Sequence, residues 1–345
     1  MKKTISFLNS KDDLSILINS HCLCIYNTLI QLDSNKIKID KEFLDYFKKC
    51  HLERPIFTLE TSAVLLYNAL KATKLPLDQI KILDYGAGVS TVYILAKKIG
   101  IKKVYYNDLM PNFIKLARQI DAIFDVKMDD YILGDSQACF KTASDLGYQI
   151  NLVVSRNVIE HIYNLNTFFN NIYTFYPKAI VYNSTTANWN NPLTHIQHVW
   201  IHYSTWPFYK KFKINFVLNN YNLNEKQKQK LNFFIENTKA IGGEDFKKEI
   251  DFFLKNGLKR SYKKNYTNFC GVEGSWQENL ISYSNIKRIH TSYIFEIIPG
   301  FWDTNYSFKL LNIMTSILNQ LIKILPHWFG NILSPYIFII AKPKK

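Results

Sequence analysis

The segment Ile82-Leu83-Asp84-Tyr85-Gly86-Ala87-Gly88-Val89-Ser90 decides how the rest of the chain is read. An apolar run ends at an acid, turns through two glycines and enters a helical pattern that continues to about Lys98. Glycine tolerates positive φ and lets backbone approach a ligand closely. A helix N-terminus adds free N–H groups and a positive dipole end. About twenty residues later a second β-type run ends at Asn107 and Asp108, where a carboxylate can take both hydroxyls of a ribose. Strand, glycine turn, helix and distal acid together indicate nucleotide-type binding.

Outward from this segment, apolar residues recur at helical spacing in residues 112–120 and 165–175. Short β-type runs stand at 152–155 and 179–183. Strands alternating with helices imply a parallel sheet joined by right-handed crossovers. The expected fold class is therefore α/β, a doubly wound Rossmann-like sheet that is mostly parallel. β-type runs resume at 293–298 and 336–340. Residues 1–79 read as a helical N-terminal region, carried by Leu14, Leu17, Ile18, Ile25, Phe43 and Phe47 and closed by Pro76. Residues 80–183 are the cofactor-binding core, 184–289 a helical and aromatic insertion that caps the substrate, and 290–345 the completion of the sheet.

The acid before the glycines narrows the ligand. A dinucleotide needs small residues where its pyrophosphate meets the helix, and Thr91 stands at the third glycine position. Asp84 would repel a pyrophosphate, whereas S-adenosylmethionine has no phosphate and presents an ammonium and a sulfonium. Charge favours that cofactor over a nicotinamide dinucleotide.

On these residues the chain resembles the class I S-adenosylmethionine-dependent methyltransferases. Their first motif is matched by Asp84, Gly86, Gly88 and Ser90, and their ribose-binding acid by Asp108. Their adenine-contacting Gly-Asp pair is matched by Gly134-Asp135. The segment LVVSRNVIEH (residues 152–161) looks like the family's fourth strand and the Glu-His that follows it. Two positions depart: Asn151 stands where an Asp often precedes that strand, and Ser90 where a glycine is common. The resemblance implies S-adenosyl-L-methionine as cofactor, held by Asp84, Gly86, Gly88, Asp108, Leu109, Asp135, Ser136 and Asn157. It also implies that the runs at 293–298 and 336–340 close the sheet as an antiparallel edge pair.

Methyl transfer from a sulfonium is an in-line displacement that mainly needs alignment, an effect worth up to ~7–11 kcal/mol. A base for a hydroxyl acceptor adds ~10²–10⁴ in rate, and histidine is the usual choice. The candidates are His161, at the end of the parallel sheet where ligands bind, and His195 and His198. With His202, the last two share one helical face. His195 and His202 would stand ~10 Å apart along a helix, too far for one ion with bonds of about 2 Å. No acidic or cysteine partner is evident nearby, so no metal is expected. In the loop NFCGVEGSWQEN (residues 268–279), Trp276 either stacks on a sugar ring or anchors the loop, and Glu278 is placed to bind hydroxyls. His290 reads as an ordinary residue before a strand. Lys226, Lys228, Lys230, Lys263 and Lys264 read as solvated faces.

The 345 residues carry 43 Lys+Arg against 28 Asp+Glu, a net charge of +15. This balance suits an anionic partner, whether nucleic acid, acidic glycan or membrane surface. Neither an Asn/Asp-Pro-Pro-aromatic tetrad nor a Pro-Cys nucleophile pair is present. A nucleic-acid methyltransferase therefore stands second to an enzyme acting on a small-molecule or glycan hydroxyl acceptor. The intact motif argues against a non-catalytic cofactor-binding relative. Five cysteines without a CxxC pair suit a reducing cytoplasm. Polar residues 9–13 interrupt any signal peptide, and no apolar run reaches the ~18 residues of a membrane span. Residues 310–328 read as amphipathic, either touching a membrane surface peripherally or covering the sheet.

Overall fold

Three helices precede the first strand: α1 (Asp13–Gln31), α2 (Lys41–Phe47) and α3 (Pro55–Thr73). Asp12 caps α1 by accepting from the Ser15 N–H, and Pro55 opens α3, where its missing donor costs nothing. The computed structural model describes residues 5–259, 268–289 and 291–344. His290, Lys263 and Lys264 lie outside the described residues.

The alternation then begins: β1 (Lys81–Asp84), α4 (Thr91–Lys98), β2 (Lys103–Asp108), α5 (Pro111–Ile123), β3 (Asp130–Leu133), α6 (Ser136–Asp145), β4 (Leu152–Arg156), α7 (Leu165–Phe175) and β5 (Ile180–Thr185). Strand β3 is four residues long and half-exposed, which is why apolar patterning does not mark it. Helices α8 (Pro192–Asn220), α9 (Glu225–Asn237), α10 (Gly243–Asn256) and α11 (Tyr283–Lys287) follow. The chain ends with β6 (Tyr293–Pro299), α12 (Lys309–Ile324), α13 (His327–Leu333) and β7 (Ile337–Pro343).

The strands form one sheet in the order β3-β2-β1-β4-β5-β7-β6. The first five run parallel, and β7 pairs antiparallel with both β5 and β6. This is the doubly wound α/β architecture with an antiparallel edge pair. Successive strand residues serve opposite faces. Ile82, Val104, Val154 and Tyr182 pack beneath α1, α3 and α4, while Leu83, Tyr105, Val153 and Val181 pack against α6 and α7. Asn151 pins the start of β1 to β4: its Oδ1 accepts from the Lys81 N–H at 2.9 Å and its Nδ2 donates to Gln79 O at 2.8 Å. An aspartate there could not donate the second bond.

Helices α8, α9 and α10 enclose a hydrophobic core of their own, built on Val217, Leu231, Phe234, Phe246, Ile250 and Phe253. Lys213 is buried among them and donates to the carbonyls of Thr238, Lys239 and Ile241. Burial pushes its pKa down to about 8. Lys226, Lys228 and Lys230 are exposed.

Candidate functional site

The turn after β1 is shaped by two glycines in the left-handed region, Gly86 at φ +62° and Gly88 at φ +52°. A Cβ on Gly86 would meet both methyls of Val158 at 2.8 Å, so the close approach as well as the dihedral requires glycine. The loop is tied to the end of β2. The Gly88 N–H donates to Asp108 Oδ2 at 2.9 Å, and the Ala87 N–H donates to Asn107 O at 2.8 Å. Tyr106 Oη donates to Gly88 O at 2.6 Å. Asp108 Oδ1 takes the Met110 N–H at 2.8 Å, leaving each carboxylate oxygen a further lone pair for a hydroxyl. Burial raises the Asp108 pKa, opposed by these backbone hydrogen bonds. Ser90 caps α4 by accepting from the Val92 N–H, and Thr91 Oγ1 meets Ser62 Oγ of α3 at 2.7 Å.

Beneath the loop, Asp84 is buried, and neither carboxylate oxygen has a close hydrogen-bond partner among the described residues. Desolvation pushes its pKa up to about 7, against the opposing charge of Arg156. Arg156 ends β4, and its Nη1 donates to Thr58 O at 3.2 Å and Thr61 Oγ1 at 3.0 Å on α3. Above the glycines lies a cavity of about 380 Å³, within the ~300–1,000 Å³ typical of small-molecule sites. Its floor is Gly86 to Ser90 with Arg156 and Asn157, and Ser184 and Thr186 line it from the end of β5. Its roof comes from the N-terminal helices: Tyr46, His51, Arg54, Thr58 and Thr61. His51 is buried, its Nδ1 has no hydrogen-bond partner among the described residues, and burial together with Arg156 holds its pKa well below the ordinary histidine value.

Of the residues expected to hold a cofactor, Gly86, Gly88 and Asn157 line this cavity. Asn157 adopts φ +56° and accepts from the Thr186 N–H through its Oδ1. Asp84 and Asp108 lie under it at the ends of β1 and β2, and Leu109 is exposed beside them. Asp135 caps α6 by accepting from the Ala138 N–H, and Ser136 Oγ accepts from Asn171 Nδ2. Asp135 faces a second cavity, of about 810 Å³, shared with Tyr163, Phe212 and Gly243.

None of His161, His195 and His198 lines the cavity over the glycines. His161 Nδ1 is 3.0 Å from Trp276 O. The absence of an acid near the histidines of α8 is corrected by the tertiary structure: His198 Nε2 lies 3.0 Å from Glu278 Oε2, eighty positions away in sequence. Burial lowers the His198 pKa to about 4, helped by His202 and His195, and burial raises that of Glu278. Glu160 completes this buried cluster, its pKa pushed up to about 7 by desolvation and held back by His161. His195 stands apart, edge-on to Trp189 at 4.3 Å. Among the described residues no group of His, Cys, Asp and Glu is arranged to hold a metal ion. Trp276 anchors its loop, donating from Nε1 to Tyr163 O and packing on the Tyr163 ring at 5.4 Å.

Arg156 and the roof are not among the residues that the sequence points to. A cation closing the strand LVVSR was the available signal for Arg156. Nothing local marks Thr58 or Thr61, which reach the site because α3 packs on β4 and β5, or His51, in the helical turn Lys48–Leu52 that precedes α3.

No protein-family model matches the chain, and no curated protein matches it. Solved structures do. The plantazolicin methyltransferase BpumL in complex with SAH is 11% identical, with 95% of this chain and 100% of that one covered at a TM-score of 0.38. A protein from Pyrococcus horikoshii OT3 is 21% identical over 43% of this chain and 66% of its own, at 0.33. A SAM-dependent methyltransferase from Agrobacterium tumefaciens is 13% identical over 35% and 43%, at 0.30. The chain thus spans less than half of the Agrobacterium protein, about two thirds of the Pyrococcus one and all of the plantazolicin enzyme.

Proposed function

We propose that this chain is an S-adenosylmethionine-dependent methyltransferase acting on a small molecule. The observation that carries the reading is the convergence, at the carboxyl ends of β1, β2 and β4, of an unpartnered buried carboxylate, a glycine cradle, a ribose-ready acid and a half-buried guanidinium. Asp84 suits an ammonium, Asp108 a vicinal diol and Arg156 a carboxylate, which are the three polar ends of that cofactor's amino-acid and ribose moieties. When bound, the cofactor supplies an electrophilic methyl on a sulfonium. The residues around it need only orient the acceptor, exclude water and take up one proton.

For that proton we favour His51 over His161, His195 and His198, because it is the one of the four that lines the cavity. A sugar hydroxyl or another small nucleophile entering under the α2–α3 roof is the acceptor this arrangement suits. Asp135 and Ser136, at the start of α6, are proposed for the adenine end. Calorimetric titration with S-adenosylmethionine, S-adenosylhomocysteine and NAD tests the reading. Micromolar binding of the first two with none of NAD is expected. A folded protein that binds none of the three would overturn it.

A further inference from the structure

Helix α12 is mounted with its polar side inward. Asn319 Oδ1 accepts from the Trp302 N–H at 2.7 Å while its Nδ2 donates to Trp302 O at 2.9 Å. Two turns earlier Asn312 makes the same bracket on Tyr306, with both bonds at 2.7 Å. These four bonds fasten the asparagine face to the loop that follows β6. The opposite face, with Ile313, Met314 and Ile317, is consequently turned to solvent. A surface helix that gains stability from packing does the reverse.

The outward apolar face continues beyond this helix. Trp328 of α13 is 67% exposed. The end of α13 is bonded to the start of α8, where Asn188 Nδ2 donates to Asn331 O and Ser334 O and Asn191 Nδ2 donates to Ile332 O. Helix α8 buries His198, His202, Lys213 and Val217 and exposes Trp200 (68%) and Tyr203 (78%) on its other side. Three helices thus turn apolar and aromatic side chains to water, an exposure that marks interaction surfaces. Their sequences contain no Asp or Glu, while Lys211 and Lys309 are exposed along them. Among the described residues no helix is long and apolar enough to cross a membrane.

We propose that the α8–α12–α13 surface docks peripherally on an anionic lipid bilayer. Outward-facing Trp, Tyr, Ile and Met side chains suit the boundary between headgroups and acyl chains, and exposed lysines on helices that carry no acid of their own suit phosphate headgroups. The net charge of +15 adds long-range attraction to the same surface. This inference does not rest on the methyltransferase reading, since it uses no residue of the cofactor cavity.

Flotation of the full chain with vesicles tests it, using phosphatidylcholine alone and phosphatidylcholine mixed equally with phosphatidylglycerol. Binding to the mixed vesicles, a blue shift of tryptophan emission and weakening by salt are expected. Ile313→Glu combined with Ile317→Glu, both on the exposed face, should reduce partitioning roughly tenfold or more. Lys211→Glu with Lys309→Glu should weaken binding to the mixed vesicles, and this pair leaves every apolar contact in place should the first variant fold poorly. Failure of the native chain to float with either vesicle overturns the proposal. So does a native dimer that the isoleucine variant dissociates without any vesicle binding, which would assign the face to a second copy of the chain.

Discussion

The backbone N–H of Gly88 donates to Asp108 Oδ2 at 2.9 Å, joining the turn after β1 to the last residue of β2. The glycine loop and the acid are therefore one unit. Altering the carboxylate changes the loop as well as any diol it holds. Asp108→Ala should lower affinity for S-adenosylhomocysteine at least tenfold, equivalent to about 1.4 kcal/mol. Asp108→Asn keeps an acceptor for Gly88 and should lose less. Equal losses in the two variants, measured by calorimetry, would contradict this linkage.

The two glycines are not equivalent. Gly86→Ala must force its methyl against Val158 as well as hold φ +62°, whereas a Cβ on Gly88 meets only Asp108 Oδ2, at 3.9 Å. Gly86→Ala should destabilise the fold by roughly 1–3 kcal/mol and Gly88→Ala by less. Urea unfolding midpoints at unchanged m-value check the order.

Arg156 lines the cavity, and its proposed partner is the carboxylate of the cofactor's amino-acid moiety. Arg156→Met should weaken S-adenosylhomocysteine by roughly tenfold or more, the worth of a charge-assisted pair. Binding of 5′-methylthioadenosine, which lacks the amino-acid moiety, should be unchanged. A parallel loss of both ligands would mean that the guanidinium only supports α3 through Thr58 and Thr61.

Asp84 gives a sign to the pH dependence of stability. Its pKa in the folded chain, about 7, lies above the ordinary 3.8, so between these values the folded state binds the extra proton. Its contribution is greatest below about pH 4 and is lost as pH rises towards 7, by a few kcal/mol at about 1.4 kcal/mol per unit. Thermal unfolding across this range should show the native chain losing ground to Asp84→Asn. Parallel curves would place the carboxylate in a more polar setting.

His51 is the proposed proton acceptor. Once an acceptor molecule is in hand, His51→Ala should reduce turnover by ~10²–10⁴ while leaving the apparent affinity for the donor intact. His198→Ala, remote from the cavity, should leave turnover close to native. The opposite pattern would move the chemistry to the Glu278 cluster.

The alternation of β1 to β5 with helices, the left-handed glycines and the acid at the end of β2 are properties of consecutive residues. Apolar period, a Gly-x-Gly turn and an acid at a strand end are all decided within one or two elements, so they are legible in sequence. β3 escaped because a short, half-exposed edge strand buries too little to impose a pattern. The insertion's separate core, the His198–Glu278 contact and the His51 roof depend on which surfaces meet after folding. Arg156 and Thr58 are 98 positions apart, and nothing local in either residue's neighbourhood announces the other.

Helix α12 shows the division most clearly. Its amphipathic spacing is plain in the sequence, and it would serve equally well with the apolar side in or out. Two asparagines, Asn312 and Asn319, bracketing the backbone of Tyr306 and Trp302 decide the matter. The sequence by itself determined the alternation of strands and helices, the glycine turn and the periodicity of each helix. Only the tertiary structure decided which charges share a cavity and which way an amphipathic face points. Burial and long-range hydrogen bonds are made by the assembled fold and have no local record.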